Sequence, residues 1–476
     1  MLTLNRESPE ALYQQLFNYF KGRILGGDMK AGTRLPASRA LADELQISRT
    51  SVVAAYTALE NAGLIVTRER RGLFVVDKLP TLYAEWMLSD GDFIPSSAAR
   101  VSHTHDFPSL ISLSTGSLPV DFMPVEAMRR ALNEVLNRDA GAALSYEPTE
   151  GYKPLRRAIA DQLHSRGMSV NSDQVLVTGG CQQAIDLAVQ SLVPPNGLIF
   201  TTDPTYVGLI DIARTRNLEL ITIAWSEQGI DLDTLETLIQ ERRPHLFYLM
   251  TTFLNPTGAV LSMQQRRRLL AMIDRYHLPI LEDGVYDGFD YERASLPSLR
   301  ALDETGLVLY ASGFSKTVVP GTRIGYLIAG EQLYTRISRV KQAADVCTPS
   351  LNQRAMTELL RSGQLAAHLE MVRHACQHRR DALLAALKRY AEGSWRWTTP
   401  LGGLYIWVEL PSSGPSAVDL LELATQNGVD FAVGISFSPN GNWTHHLRLN
   451  FSSYPSRILD EGIRRLWTTW QSCQMG

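Results

Sequence analysis

The sequence predicts a multidomain chain: a small α+β head, then a large α/β body that ends in a smaller α+β lobe. Three observations predict this. At 476 residues the chain is about three times the length of a typical domain. The first 78 residues carry a charge balance of +3 and the other 398 a balance of −6, within a whole-chain charge of −3. From about residue 111 onward, helical stretches alternate with short apolar runs, as in a largely parallel sheet with crossover helices. The hydrophobic fraction of 45% with 20% charged residues suits a chain with a full core and excludes disorder, collagen-like repeats and a disulfide scaffold. No apolar run reaches the roughly 18 residues that span a bilayer, and Met1–Ser8 has no secretory apolar segment. Cys181, Cys347, Cys376 and Cys473 are far apart with no Cys-x-x-Cys pair, so free thiols in a reducing cytoplasm are expected, and structural zinc is not.

In the head, Ser8 and Pro9 suit the start of a helix, along which Leu12, Leu16, Phe20 and Ile24 recur at helical spacing until Gly26-Gly27. A turn at Ala31-Gly32 and Leu35-Pro36 leads to a short helix from about Ser38 to Leu45. Ser48 caps a third helix that ends before Gly63, with Val52, Val53, Tyr56 and Leu59 for its inner face. Leu64–Val66 and Leu73–Val76 then flank the basic tip Arg68-Glu69-Arg70-Arg71-Gly72. Helix, short helix, turn, helix, hairpin is the order of a winged helix-turn-helix. Such a module reads DNA with polar and basic groups at the start of its recognition helix, here Ser48, Arg49, Thr50 and Ser51. Arg34 and Arg39 precede and open the preceding helix, and Arg68, Arg70 and Arg71 are the wing tip. The other reading of the pattern is a protein-contact module with a solvated basic face.

Gly32-Thr33-Arg34-Leu35-Pro36-Ala37-Ser38-Arg39 and Ile47-Ser48-Arg49-Thr50-Ser51-Val52, with Tyr56, Leu59 and Gly63-Leu64-Ile65, resemble the DNA-binding domain of the GntR family of bacterial regulators. The resemblance spans almost all of residues 10–76 and implies that Arg34, Arg39, Arg49, Thr50 and Gly72 lie at the DNA interface. Ala37 stands where the family usually has serine, and the arginine-rich wing is also a departure, so operator preference stays open.

Residues 79–110 show no lasting periodicity beyond a short helix around Tyr83–Leu88, and are placed as a linker between a head of 1–78 and a body of 111–476. The apolar runs of the body are Gln174–Val177, Gly197–Phe200, Leu218–Ile223, Leu246–Met250, Pro279–Glu282 and Leu307–Tyr310. The end, about 350–476, reads as the smaller lobe, with strands at Gly403–Glu409 and His446–Asn450.

Four stretches of the body carry chemistry. In Ser312-Gly313-Phe314-Ser315-Lys316 a lysine follows a strand in a small polar turn, where it can form a Schiff base with an aldehyde. Arg323, seven residues later, can fork onto a phosphate. In Glu282-Asp283-Gly284-Val285-Tyr286 an aspartate ends a buried strand, which is costly without a cationic partner such as a protonated pyridine nitrogen. Asn255-Pro256-Thr257-Gly258 offers an amide to a ring hydroxyl. Thr178-Gly179-Gly180-Cys181 is a glycine turn between strand and helix, whose amides can hold a phosphate. Each stretch alone is a common surface lysine, turn or loop.

In this order the four resemble the fold-type-I aminotransferases, the pyridoxal 5′-phosphate (PLP) enzymes related to aspartate aminotransferase, over about Gly116 to Phe451. That resemblance implies PLP as cofactor, with Lys316 as Schiff-base lysine and Asp283 at the pyridine nitrogen. It places Asn255 and Tyr286 at the phenolic oxygen, Arg323 and the Gly180–Cys181 turn at the phosphate, and Tyr206 stacked on the ring. Arg448, in Leu447-Arg448-Leu449-Asn450, matches an arginine that takes a substrate carboxylate. Tyr146 matches a tyrosine offered to the neighbouring subunit's phosphate. Gly313 and Cys181 depart from the Ser or Thr usual at their positions, so Ser312 or Ser315 is the substitute expected at the phosphate.

His103 with His105, and His445 with His446, lack the carboxylate or cysteine company of a metal site, and Arg266-Arg267-Arg268 reads as a solvated helix face. The whole arrangement resembles the MocR subfamily of GntR regulators. This implies a cytoplasmic, head-to-tail homodimeric, PLP-dependent transcription factor that binds double-stranded DNA and senses PLP or an amino compound. The rival reading is a working aminotransferase with a DNA-binding appendage.

Overall fold

The computed structural model describes residues 11–25, 29–61, 63–68, 72–76, 110–116, 118–226, 228–292 and 296–475. Arg70 and Arg71 at the wing tip, the Ser8-Pro9 cap, Gly26-Gly27, the linker up to residue 109 and the pair His103 and His105 lie outside the described residues. The chain divides into two compact units, residues 1–94 and 95–476.

In the first unit, helices α1 (Leu12–Leu25), α2 (Ser38–Leu45) and α3 (Arg49–Asn61) precede a hairpin of β1 (Ile65–Arg68) and β2 (Gly72–Val75). Leu16, Phe20 and Ile24 from α1 meet Leu41, Val52, Tyr56 and Leu59 in one buried cluster. Ser48 caps α3, its hydroxyl accepting from the Ser51 amide at 3.1 Å. Ala37 stands at the N-cap of α2 and offers no side-chain bond to the helix start. One expectation fails here: Val53 is 44% exposed. The helical period puts residues 52, 55, 56 and 59 on the core face and turns Val53 outward on the side of Arg49.

The body holds an eight-stranded sheet. Its strands are β3 (Val175–Thr178), β4 (Leu198–Asp203), β5 (Glu219–Ser226), β6 (Gly229–Ile230), β7 (Leu246–Leu249), β8 (Ile280–Asp283), β9 (Val308–Gly313) and β10 (Gly325–Ile328), in the spatial order β3-β10-β9-β8-β7-β4-β5-β6. The central pairs β9–β8, β8–β7, β7–β4 and β4–β5 are parallel. Strand β10 runs against both of its neighbours. Gly325–Ile328 is not among the apolar runs named from the sequence. The chain needs this reversed strand to return from Lys316 along the edge of β9. Buried on both faces, β4, β7, β8 and β9 read as largely apolar runs, while β5 near the sheet edge is partly exposed.

A second sheet of four short strands builds the smaller lobe: β11 (Arg396–Trp397), β12 (Tyr405–Glu409), β13 (Ala432–Val433) and β14 (His446–Asn450), in the order β11-β12-β14-β13. The long helix α8 (Gln364–Ala391) packs on the C-terminal helix α9 (Ser456–Met475). Among the described residues, no helix is long and apolar enough to cross a membrane.

Arg266 corrects the solvated-face reading of the arginine triplet. It is fully buried, and its guanidinium donates to the carbonyls of Leu261, Thr251 and Pro297 and to the hydroxyls of Thr251 and Thr252 at 2.7–3.0 Å. Arg267 and Arg268 are exposed.

Candidate functional site

The strand ends gather the chemistry of the body. A cavity of about 420 Å³ is lined by Lys316, Asp283, Asn255, Tyr286, Arg323, Tyr206, Cys181, Ser315 and Arg448, all singled out in the sequence. Asp283 ends β8 and Lys316 lies three residues beyond β9, so the parallel pairing of these strands sets the two loops side by side.

Asp283 is buried. Its carboxylate accepts from the Tyr248 hydroxyl at 2.8 Å, the Val285 amide at 3.0 Å and the Cys181 thiol at 3.5 Å. Burial raises its pKa to about 6, against the lowering by these three donors. The Lys316 ammonium donates to the Gly116 carbonyl.

The glycine turn opens a helix, α4 (Cys181–Leu192), with Gly180 at its N-cap and φ +117°. A β-carbon on Gly180 would stand 2.6 Å from Arg323 Nη2, so only glycine lets the guanidinium approach the turn. Arg323 Nη1 also donates to Ser315 Oγ at 3.4 Å. Of the two serines named, Ser315 lines the cavity, whereas the buried hydroxyl of Ser312 donates to the carbonyl of Gly284, just past the end of β8, at 3.0 Å. The half-buried Cys181 has its thiol pKa pushed up by burial and by the neighbouring Asp283.

Arg448 is 4% exposed. Its Nη1 donates to Asn255 Oδ1 at 2.9 Å and its Nη2 to the Ser114 carbonyl, while Nε is buried with no protein partner. Tyr286 and Tyr405 are linked hydroxyl to hydroxyl at 3.1 Å. Burial raises the Tyr286 pKa. For Tyr405, burial is outweighed by the Arg448 and Lys316 cations, which bring it below the usual phenol value.

Tyr146 is apart from the cavity and 86% exposed. Sequence reasoning missed Tyr405, Tyr248, Gln182 and Ser114, the first two being absorbed into apolar strand runs. The Gly402-Gly403 pair just before Tyr405 was the available signal. It marks close backbone approach, since a β-carbon on Gly402 would meet Phe253 and the Phe289 carbonyl at 2.2 Å. Among the described residues, no group of three or more His, Cys, Asp or Glu could hold a metal ion.

In the head, Ser48, Arg49 and Thr50 are exposed at the start of α3, and Arg39 is exposed on α2. Arg34 sits against the wing rather than only before α2. Its neighbours Thr33 and Leu35 bond to Val75 and Leu73 at 2.9 Å, and its guanidinium lies over Gly72, whose φ is +107°.

Two family models match the chain: bacterial regulatory proteins of the gntR family over residues 12–75, and aminotransferase class I and II over residues 108–466. The HTH-type transcriptional regulator YisV of Bacillus subtilis is 30% identical over 97% of this chain and 96% of its own. A 2-aminoadipate transaminase of Thermus thermophilus is 35% identical over 75% of this chain and 89% of its own. The crystal structure of the α-aminoadipate aminotransferase LysN from the same organism, complexed with N-(5′-phosphopyridoxyl)-L-leucine, superposes with a TM-score of 0.74. It is 32% identical and covers 82% of this chain and 99% of that one. The chain therefore belongs to the HTH-type regulators of MocR architecture, with a gntR-family head on a class I and II aminotransferase body.

Proposed function

We propose that the chain is a DNA-binding transcriptional regulator whose body holds pyridoxal 5′-phosphate on Lys316 and responds to that cofactor or to an amino compound. The observation that carries this is one cavity in which a lysine amine, a buried carboxylate and a glycine–arginine cradle converge. The residues suit the cofactor. No cation pairs with the Asp283 carboxylate among its described hydrogen-bond partners, and a ring N–H⁺ would supply one. The space beside Gly180 that a side chain would fill is taken by Arg323, which a phosphate would neutralise.

When bound, PLP supplies an aldehyde that condenses with amines and a pyridinium ring that withdraws electron density. Lys316 contributes the amine, and Asp283 keeps the ring nitrogen protonated. Tyr206 would cover the ring, and Asn255 and Tyr286 would serve its phenolic oxygen, all three lining the cavity. Arg323, Ser315, Gly180 and Cys181 would hold the phosphate, and Arg448, which lines the same cavity, would orient a carboxylate. Tyr146, exposed on each subunit, serves the partner's site in a head-to-tail homodimer.

In the head, Ser48, Arg49 and Thr50 enter the major groove, Arg39 meets phosphate, and Arg34, Gly72 and the wing arginines through Arg70 line the flanking backbone. The dimer presents two heads to repeated half-sites in the cytoplasm. The effector acts by its difference in affinity for the two arrangements of the dimer. A second reading, a working aminotransferase with a DNA-binding appendage, is supported by the completeness of the cavity, Arg448 included.

Titration of the PLP-loaded protein with amino acids and amines separates the two. A lasting spectral shift without keto-acid release, with altered operator affinity, is expected of the sensor. Stoichiometric keto-acid release, reversed by adding keto acid, identifies the enzyme. No visible band on loading with PLP would overturn both.

A further inference from the structure

Outside the residues that line the cavity, three polar side chains form a continuous chain of hydrogen bonds to the glycine turn. Gln183, in the first turn of α4, accepts from the Gly179 amide at 2.5 Å through Oε1. Its Nε2 donates to Asp345 Oδ2 at 2.8 Å, and Lys341 Nζ donates to the other oxygen of Asp345 at 2.6 Å. Lys341 and Asp345 stand one turn apart near the end of helix α7 (Glu331–Asp345).

Lys341 is fully buried. A buried ammonium costs several kcal/mol unless an anion neutralises it, and Asp345 does so. Asp345 in turn is the last residue of its helix. Val346 follows with φ +62°, and a 2.6 Å bond from the Cys347 amide to the Asp345 carbonyl closes a three-residue turn. A β-branched residue rarely takes positive φ, so the helix stops at Asp345; Val346 itself is exposed, and the bonds to Gln183 and Lys341 hold the Asp345 carboxylate in place. A charged and anchored support thus reaches, through one glutamine, a backbone amide next to the helix start that faces Arg323.

We propose that Lys341, Asp345 and Gln183 are positioning residues for a phosphate-binding turn: they hold the Gly179 amide so that the turn keeps the shape in which the Gly180 and Cys181 amides are free for a phosphate monoester. This rests on the PLP reading given above. Gln183 ties up the Gly179 N–H, leaving the next two amides of the turn for the ligand. The relay acts through the backbone and touches no ligand, so its loss should be felt by the phosphate group and not by the pyridine ring.

The test uses the full-length protein and three probes: PLP, pyridoxal (the same ring without phosphate) and inorganic phosphate. Gln183→Leu and Lys341→Met are each expected to weaken PLP and inorganic phosphate about tenfold while changing pyridoxal less than about twofold. The double variant should lose little more than Gln183→Leu alone, because the residues act in series. Equal loss for PLP and pyridoxal, or no loss of PLP binding in variants with wild-type circular dichroism, would overturn the relay. Wild-type protein that does not prefer PLP to pyridoxal would instead overturn the cofactor reading. Should Lys341→Met not fold, the half-buried Gln183 carries the test alone.

Discussion

The guanidinium carbon of Arg448 lies 3.9 Å from the centre of the Tyr405 ring and 4.8 Å from that of Phe437. Two aromatic rings thus hold the plane of a buried cation whose Nη edges are bonded to Asn255 and Ser114. A desolvated contact of this kind contributes about 2 kcal/mol. Tyr405→Leu is expected to weaken binding of carboxylate-bearing amino acids by about tenfold or more, with Tyr405→Phe close to wild type. Spectral titration with an amino acid and with its decarboxylated amine checks this, since the amine should be insensitive.

Lys316→Ala should abolish the visible band of the PLP-loaded protein while the head keeps its fold and its affinity for non-specific DNA. An unchanged spectrum would show that another amine holds the cofactor.

Asp283 gives a pH dependence with a definite sign. Its pKa in the folded apoprotein is about 6, above the ordinary 3.8. The folded state keeps a proton that the unfolded chain has released between those values. Stability therefore falls as pH rises from about 4 to about 6, and the full cost remains above that. Asp283→Asn should stabilise the apoprotein at pH 7 by on the order of 2 to 3 kcal/mol, a gain that vanishes below about pH 4. Urea unfolding at both pH values measures it. The same variant should bind PLP more weakly, because the ring nitrogen loses its anion.

Ala37 leaves the start of α2 without a side-chain cap. Ala37→Ser should raise the stability of the head by about 1 kcal/mol, read by thermal unfolding of the full chain. A fall in stability would mean that the serine cannot reach the first amides of the helix.

Arg49 opens α3 on the exposed face of the head. Arg49→Ala should cost about 1 to 3 kcal/mol of operator affinity if it reads a base. If it meets only phosphate, the loss should be similar on all sequences and the salt dependence should be shallower. Binding to operator and to scrambled DNA at two salt concentrations distinguishes these.

Much of this was legible along the chain because the relevant forces are local. The caps, periodicity and glycine stops of the head are nearest-neighbour effects, and Ser38–Leu45 is a helix over the span expected. The motifs around Lys316, Asp283, Asn255 and the glycine turn could be recognised because each fits a short loop at a strand end. Sequence order sufficed to assemble them, and it determined the family as well. Contacts between distant segments had no such signature. Arg266, read as solvent-facing, is buried because α6 (Met263–Tyr276) presses that residue onto the Thr251–Thr252 loop before Asn255. A basic triplet looks the same whichever member turns inward. Tyr405 and Tyr248 were hidden in apolar runs, since a buried strand shows no alternation to mark the side chain that faces a site.

By itself, then, the sequence determined the two-part architecture, the head's element order and the types of group available to the cavity. The tertiary structure alone decided the reversed strand β10, the pairing of Arg448 with Tyr405, and the line from Lys341 to Gly179. These depend on which of many compatible surfaces meet across about 40 to 160 residues of chain, β10 against β3 included. That choice is made by packing and by satisfying buried polar groups together, not by any short stretch of residues.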